Sequence, residues 1–400
     1  MRILFVSDTY YPHLNGVYYF VCRLAPLLKE RGHQVAVLAP SATIRSSLSE
    51  IDGMNVYGMP SLPIIYYPNV RVPIPLFIKP GIRRILNEFN PDIIHIQDHF
   101  SISKATVELS KNMGIPVMGT NHFMTENLTA FIHSEKWRRR LSVFFWNKFS
   151  KVFNQLALVT TPTETAARLI RPKLKTKVVP ISSGIDLRNF TPEGDTRQVR
   201  EKYGIPNKPV LLFVGRLDPE KNIEEILNAV AVAVKKNDIY FVVVGRGMRK
   251  SALERHANKL GISDRVIFTG FVPNEDLPYI YKLSRCFIIS SVAELLSLGV
   301  LQGMASGLPV IAVRMGALVE LVHDGVNGYL YEAGDIDMMV QSIIRIFSMN
   351  DIYKHMSEKS LQFSHDHDIN KTVSSFEKLY ELVGNKRGPA EIAPTDLSFA

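Results

Sequence analysis

The stretch Val210-Leu211-Leu212-Phe213-Val214-Gly215-Arg216-Leu217-Asp218-Pro219-Glu220-Lys221-Asn222 decides the fold. Its five leading apolar residues predict a buried strand of a parallel sheet. Gly215 ends that strand, and the polar run through Pro219 separates it from a helix predicted from about Asn222 to Lys236. A strand follows at residues 240–244 and stops at Gly245. Further strands are predicted near 265–269, 285–289 and 308–312, with helices around 248–260 and 298–306. Strands alternating with helices in this way build an open, doubly wound sheet.

Upstream, the same alternation has already run once. Residues 2–6 read as a buried strand, followed by a loop with Pro12, Asn15 and Gly16 and an amphipathic helix to about Arg31, which Gly32 ends. Strand-like runs recur at 34–39, 92–96, 115–119, 156–160 and 177–181. Two successive α/β domains fit better than one large sheet, and 400 residues exceed what a single core ordinarily serves. Gly184, Pro192, Gly194, Gly204 and Pro206 interrupt regular structure between the two series. The expected division is 1–190, 191–368, a last helix over 369–384, and a loose tail over 385–400.

Composition narrows the class. Hydrophobic residues at 46% and charged residues at 21% exclude a disordered, collagenous or coiled-coil chain. The longest apolar runs are strand-length, and the chain reaches Asp8 too early for a signal peptide. Cys22 and Cys286 fall in different predicted domains, which excludes a disulfide framework and points to a reducing cytosol. The net charge of +9 divides into +11 over residues 1–190 and −2 over 191–400. Only one domain therefore meets an anionic partner, be it nucleic acid, membrane or substrate. No recognition helix or RNA motif accompanies the charge, which argues against nucleic acid.

Three segments of the second half carry candidate chemistry. Gly245-Arg246-Gly247 follows a strand but lacks the third glycine of a dinucleotide site, and a tight strand-to-helix turn explains it as well. On the Gly215-to-Asn222 loop, Arg216 and Lys221 can grip a diphosphate without a metal; alternatively they form surface pairs, Arg216 with Asp218 or Lys221 with Glu220. In Ser290-Ser291-Val292-Ala293-Glu294, a strand end feeds a short helix whose free N–H groups suit an anion. Glu294 has no cation nearby in sequence. It serves either the helix start or the hydroxyls of a ligand.

Together these segments resemble the retaining GT-B glycosyltransferases of the GT4 family (glycosyltransferase group 1). The likeness extends along the chain through Asn15-Gly16-Val17, Gly32-His33-Gln34-Val35, Pro91-Asp92-Ile93-Ile94-His95, Thr120-Asn121-His122, Ser183-Gly184-Ile185-Asp186 with Phe190 and Pro192, Gly215-Arg216 with Lys221, Gly270-Phe271-Val272-Pro273, and Gly303 to Pro309 with Gly325-x-x-Gly328. It implies two Rossmann-like domains facing across a cleft, the last helix crossing back to the first. It also implies a nucleotide-sugar co-substrate, no obligatory cofactor or metal, and transfer with retention. The second domain would bind the donor, with UDP-glucose the commonest expectation, and the first the acceptor.

Residue by residue, Arg216 and Lys221 match the cations that hold the diphosphate and stabilise the leaving group. Asn15 and Gly16 match the first-domain loop that approaches the phosphates. Gly215, Phe271, Val272, Ser297 and Leu298 match donor-lining positions, and Glu294 matches a contact to the donor sugar. His122 matches the histidine near the anomeric centre, or it is a core histidine closing a strand. One departure stands out. The family places a second Glu eight positions after the first to accept from the ribose hydroxyls, and here that position is Gln302, a neutral acceptor. The usual Gly-Phe-Gly after the first Glu is replaced by Leu295-Leu296-Ser297.

The Asn15-Gly16-Val17 form resembles the branch that glycosylates diacylglycerol and phosphatidylinositol-type lipids. Two segments suit that acceptor. One is the proline-rich apolar stretch from Ser61 through Tyr66 and Tyr67 to Phe77, which lines an acceptor cleft or folds onto its own domain. The other, residues 135–149, pairs Trp137 and Trp146 with Arg138, Arg139 and Arg140, a composition for an anionic membrane surface; alternatively its aromatics face the core. A lipid-modifying enzyme bound peripherally at the cytoplasmic face of the membrane is the leading expectation. A soluble sugar or sugar-phosphate acceptor, or a non-catalytic nucleotide-sugar or lipid sensor, are the alternatives.

Overall fold

The computed structural model describes every residue except 14, 65, 66, 123, 125–133 and 386–400, with only the backbone described at 67–69. Two compact units divide the chain: Met1–Ser183 together with the segment from Ile369 onward, and Gly184–Asp368.

Among the described residues the first unit has ten strands: β1 (Arg2–Val6), β2 (Gln34–Pro40), β3 (Ser47–Ile51), β4 (Met54–Met59), β5 (Ser61–Ile64), β6 (Tyr67–Pro73), β7 (Ile93–Ile96), β8 (Val117–Thr120), β9 (Leu158–Thr161) and β10 (Val178–Pro180). Eight form one sheet in the order β10-β9-β8-β7-β1-β2-β4-β3, parallel except for β3 against β4. The alternation along β1 sends Ile3 and Phe5 to one core and Leu4 and Val6 to the other. One core is closed by helices that include Pro75–Phe89, Ser101–Met113 and Glu135–Phe153, the other by Gly16–Glu30 and Ile369–Asn385.

Residues 47–73 depart from the sequence reading. They hold four strands, β3 to β6, where periodicity placed none. β3 is exposed along nearly its whole length and so carries no burial pattern. β5 and β6 form a separate antiparallel hairpin, Leu62 opposite Val72, with Pro63, Pro68 and Pro73 in its strands. Proline is tolerated in such a ribbon because its strands have free edges.

The second unit has six parallel strands: β11 (Val210–Val214), β12 (Tyr240–Val244), β13 (Val266–Gly270), β14 (Cys286–Ile289), β15 (Val310–Val313) and β16 (Gly328–Tyr331). Their order is β13-β12-β11-β14-β15-β16. The chain winds outward from β11 in one direction, then restarts at β14 and winds the other way. The neighbouring carboxyl ends of β11 and β14 therefore form a topological switch point, where open α/β sheets leave a crevice for ligands.

The unit boundary lies at Ser183, seven residues before the expected Phe190. Ile185 is buried in the second core, and the Phe190 ring packs edge-on against Tyr281 at 5.6 Å. These two apolar anchors pull the connecting segment into the second unit. The last helix runs one residue beyond the expectation, to Asn385, and the expected tail lies outside the described residues.

Helix Ile369–Asn385 buries Phe376, Leu379, Tyr380 and Val383 in the first unit. It also closes a buried polar chain. The Tyr380 hydroxyl lies 2.9 Å from His95 Nδ1, His95 Nε2 lies 2.7 Å from the Thr120 hydroxyl, and Thr120 reaches Thr160 at 2.6 Å. Tyr380→Phe leaves a buried imidazole nitrogen without its partner. The expected loss is about 1–3 kcal/mol, read as a lower urea midpoint with an unchanged far-UV spectrum.

Candidate active site

At the switch point, the loop after β11 and the loop after β14 are fastened to each other by backbone. Val292 N donates to Glu220 O at 3.2 Å. The Ser290 hydroxyl donates to the carbonyls of Lys221 and Asn222 at 2.5 and 3.0 Å. Asn222 holds the turn with φ 47°, a conformation asparagine tolerates better than most residues. This fastening brings Lys221 Nζ to 2.6 Å from Glu294 Oε1 and 3.3 Å from the Ser291 hydroxyl. Only 12% and 14% of the two charged side chains remain exposed. The cation missing from the sequence around Glu294 is thus Lys221, 73 residues away.

Arg216 is paired differently. Its Nη1 donates to Asp218 and its Nη2 to Glu220 at 2.8 Å, so Glu220 partners Arg216 rather than Lys221. The guanidinium is 63% exposed, while its two carboxylates are 12% and 9% exposed. Leu217, fully buried, pins the loop between them.

The glycines at 245 and 247 have a packing explanation. A Cβ on Gly245, whose φ is +140°, would lie 1.8 Å from Gly215 O, and one on Gly247 would lie 2.4 Å from Leu217 O. Both residues let the loop after β12 press against the Gly215–Leu217 backbone, so the tight-turn reading is the one the structure explains. Beyond it, Phe271 follows β13 with its ring half exposed and the Arg246 guanidinium 5.6 Å from its centroid, while Val272 is buried. That places Phe271 at the same sheet edge as Arg216, two strands or about 10 Å across.

Helix Leu298–Ala305 starts at the same edge, with the Ser297 hydroxyl accepting from Val300 N at 3.4 Å. Gln302 lies on this helix, and the fully buried Tyr281 donates its hydroxyl to Gln302 Oε1 at 2.9 Å. The amide NH2 is left for any other partner. Sequence reasoning did not single out Tyr281 and gave no role to Ser290 or Ser291; it offered Arg216 with Asp218 as a pair, which the structure shows, and Glu220 with the wrong cation. Only the spacing of Glu220 from Arg216, one helical turn, offered a signal.

In the first unit, the Asn15 side chain caps helix Gly16–Glu30 by accepting from Tyr18 N at 3.0 Å. A Cβ on Gly16 would meet nothing within 4 Å, and its φ lies outside the left-handed range. His122, half buried, has Nε2 3.0 Å from Gln97 Oε1 and its ring 4.9 Å from Phe20. Burial first, then the Arg23 guanidinium, pushes it down to about 3, so it is neutral and donates through Nε2–H. A shallow depression of about 10 Å³, room for roughly one water, is lined by Asp8, Thr9, Tyr10, His13, Pro40 and Arg71. Asp8 also accepts from Ile102 N and Ser103 N, capping helix Ser101–Met113.

Of the expected acceptor and membrane residues, Tyr66 and the side chain of Tyr67 lie outside the described residues. Helix Glu135–Phe153 divides its aromatics. Phe149 and Phe153 are buried and Trp146 packs against Phe149, whereas Trp137 and Phe144 are 57% and 49% exposed. Arg138, Arg139 and Arg140 are exposed, with Arg140 over the Trp137 ring and Lys148 over Phe144. The aromatics that face the core are Phe149, Phe153 and, in part, Trp146; Trp137, Phe144 and the arginines form the exposed face. Among the described residues, no helix is long and apolar enough to cross a membrane, and no three acidic, His or Cys side chains converge as a metal site.

Comparison with known proteins agrees along the chain. Residues 14–189 match the family described as Glycosyltransferase Family 4, and residues 195–363 match Glycosyl transferases group 1. The alpha-monoglucosyldiacylglycerol synthase of Streptococcus pneumoniae is 29% identical over 94% of this chain and 85% of its own length. A GDP-mannose-dependent alpha-mannosyltransferase of Corynebacterium glutamicum is 26% identical over 84% and 78%. Among solved structures, HepE of Anabaena in complex with UDP-glucose superposes with a TM-score of 0.73 at 18% identity, covering 96% of this chain and 100% of that one. The fold is thus the two-domain GT-B fold.

Burial sets a pH dependence in the first unit. His95 is held well below its ordinary value by desolvation, His99 is lowered to about 4 by burial and Lys148, and His122 to about 3. Unfolded imidazoles take up protons below about 6.5, while these do not until the pH is far lower. The stability they contribute is complete above pH 6.5 and is lost as the pH falls, each by up to about 1.4 kcal/mol per unit. Asp98, raised by burial and Asp8, acts in the opposite sense and offsets one of the three. Urea midpoints should therefore fall steadily from pH 7 to 4.5; a flat profile would refute the neutral assignment.

Proposed function

The chain belongs to the group 1 glycosyltransferases, a Glycosyltransferase Family 4 domain preceding the group 1 domain, and from that premise we propose that it moves a hexose, with retention, from a nucleotide-diphosphate sugar to a membrane lipid such as diacylglycerol. The paired loops of the second unit carry the donor half of this reading. Arg216 and Lys221 reach the switch point together, where they stabilise the diphosphate as the bond to the anomeric carbon breaks and negative charge develops on the leaving group. Glu294, beside Lys221, accepts from hydroxyls of the donor sugar. Gln302 faces the ribose, and Phe271 with Val272 lines the base. The donor is UDP-glucose or a close analogue.

On this reading Gly16, although in the first unit, serves the donor diphosphate. Neither packing nor backbone conformation demands glycine there, which supports a role in letting phosphate approach the start of its helix. His122, neutral and oriented by Gln97, would contact the transferred sugar on this reading. The lipid assignment rests on the exposed face of helix Glu135–Phe153, where aromatic rings and cations alternate as at a membrane interface. The enzyme would then work as a peripheral protein at the cytoplasmic face of the membrane. A second reading keeps the chemistry and takes a soluble sugar phosphate. The charge of +11 on residues 1–190 favours it equally.

A screen of nucleotide sugars with total lipid extract, scored by released nucleotide, tests the proposal. Release that needs lipid is expected, whereas no release with any common donor would leave a nucleotide-sugar sensor instead. Glu294→Ala and Lys221→Ala should each lower turnover at least about 100-fold with the far-UV spectrum retained. Near-normal activity in either would remove these residues from the site.

Vesicle co-sedimentation separates the two acceptors. Binding should favour anionic over neutral vesicles. Replacing Arg138, Arg139 and Arg140 together with serine should weaken it by roughly 100-fold, at about 1 kcal/mol per charge. Equal binding to both vesicle types, or to neither, would favour the soluble acceptor.

A further inference from the structure

We infer that Asp218 and Glu220 are positioning residues for the leaving-group cation Arg216; this rests on the donor-diphosphate reading of that arginine. The three side chains form a fixed unit on one short loop. Glu220 Oε1 accepts from Arg216 Nη2 at 2.8 Å, and Asp218 Oδ2 accepts from Nη1. The two carboxylates lie at the floor of the loop, 12% and 9% exposed, and among the described residues Arg216 is their sole cation. The guanidinium lies above them, 63% exposed.

The loop itself cannot shift easily. Leu217 is buried, its N–H donates to Arg246 O at 2.9 Å, and its carbonyl accepts from Arg249 N at 3.0 Å. The Glu220 carbonyl is held by Val292 N. Each terminal nitrogen of Arg216 gives one N–H to the floor and keeps another, and Nε–H remains free as well. A guanidinium fixed at both terminal nitrogens has its plane set before any ligand arrives. Its remaining donors therefore meet a phosphate without the ordering that a free surface arginine would require.

The same geometry explains why Arg216 does not swing away. Leaving the floor would strand two largely buried carboxylates with no cation. Lys221 cannot replace it, because its ammonium is already 2.6 Å from Glu294. The division of labour follows: Lys221 belongs to Glu294, and Arg216 belongs to Asp218 and Glu220.

The test compares nucleoside diphosphate with monophosphate binding on the full chain. Calorimetry with UDP against UMP, and GDP against GMP, gives the affinity gained from the β-phosphate. In Asp218→Asn and Glu220→Gln, both close to isosteric, that gain should fall about tenfold while monophosphate affinity stays within about twofold. Arg216→Lys, which keeps the charge and loses the fork, should show the same loss. With the donor found by the screen, kcat should fall more than donor KM rises. Monophosphate binding reports the folded state, and either carboxamide variant suffices should the other fail to fold. A β-phosphate gain that survives in both variants overturns the positioning role. A gain that increases overturns it as well, since the carboxylates would then compete with phosphate for the arginine. If the unaltered protein shows no gain at all, the donor reading of Arg216 is what fails.

Discussion

The parallel pairing of β11 with β14 is the constraint on which the second unit's site depends, because it brings Lys221 to Glu294. Two charges withdrawn this far from water are costly to bury, and attraction at 2.6 Å with help from Ser291 offsets that only while both remain in place. Their meeting is arranged by the sheet. β11 and β14 are hydrogen-bonded neighbours in register, Leu211 with Cys286 and Leu212 with Phe287, so the loops they release emerge side by side. Ser290 and Val292 then fasten loop to loop through backbone atoms, independent of the charges. Position is thus set by parallel pairing and refined by hydrogen bonds, and the ion pair is its electrostatic result.

The α/β class and the restart of the second series at Val210 were legible because parallel strands buried on both faces read as unbroken apolar runs. The hairpin of β5 and β6 was not legible. Its strands are short, interrupted by proline and exposed, and none of these properties imposes a period of two. The site divides in the same way. Arg216 and Lys221 announce themselves as cations on a post-strand loop, and their matching to a known family supplied roles. Which carboxylate pairs with which cation depends on contacts 73 residues apart in one case and on a turn geometry in the other. The first leaves no trace in local spacing; the second leaves only the four-residue spacing of Glu220 from Arg216, and there the local guess named the adjacent Lys221 instead.

The first unit follows a different logic. Its candidate features are exposed side chains on buried elements. Helix Glu135–Phe153 inserts Phe149 and Phe153 into the core and leaves Trp137, Phe144 and the arginines outside, so one element packs with one face and presents aromatics and cations on the other. The basic charge of residues 1–190 belongs almost entirely to this unit, whereas the second unit keeps its cations matched by local carboxylates. Excess positive charge and locally paired charge are in this way separated along the chain.

The chain leaves the first unit at Ser183 and does not supply that unit's last helix until Ile369. The whole second unit is therefore an insertion within the first. During synthesis, the trough that receives Phe376 and Tyr380 stays open while the ribosome makes the 185 residues from Gly184 to Asp368. The inserted unit is complete in sequence before its host. Order of assembly is consequently inverted with respect to order of translation, and the nascent first unit must keep an apolar face from sticking to its neighbours until helix Ile369–Asn385 has been made.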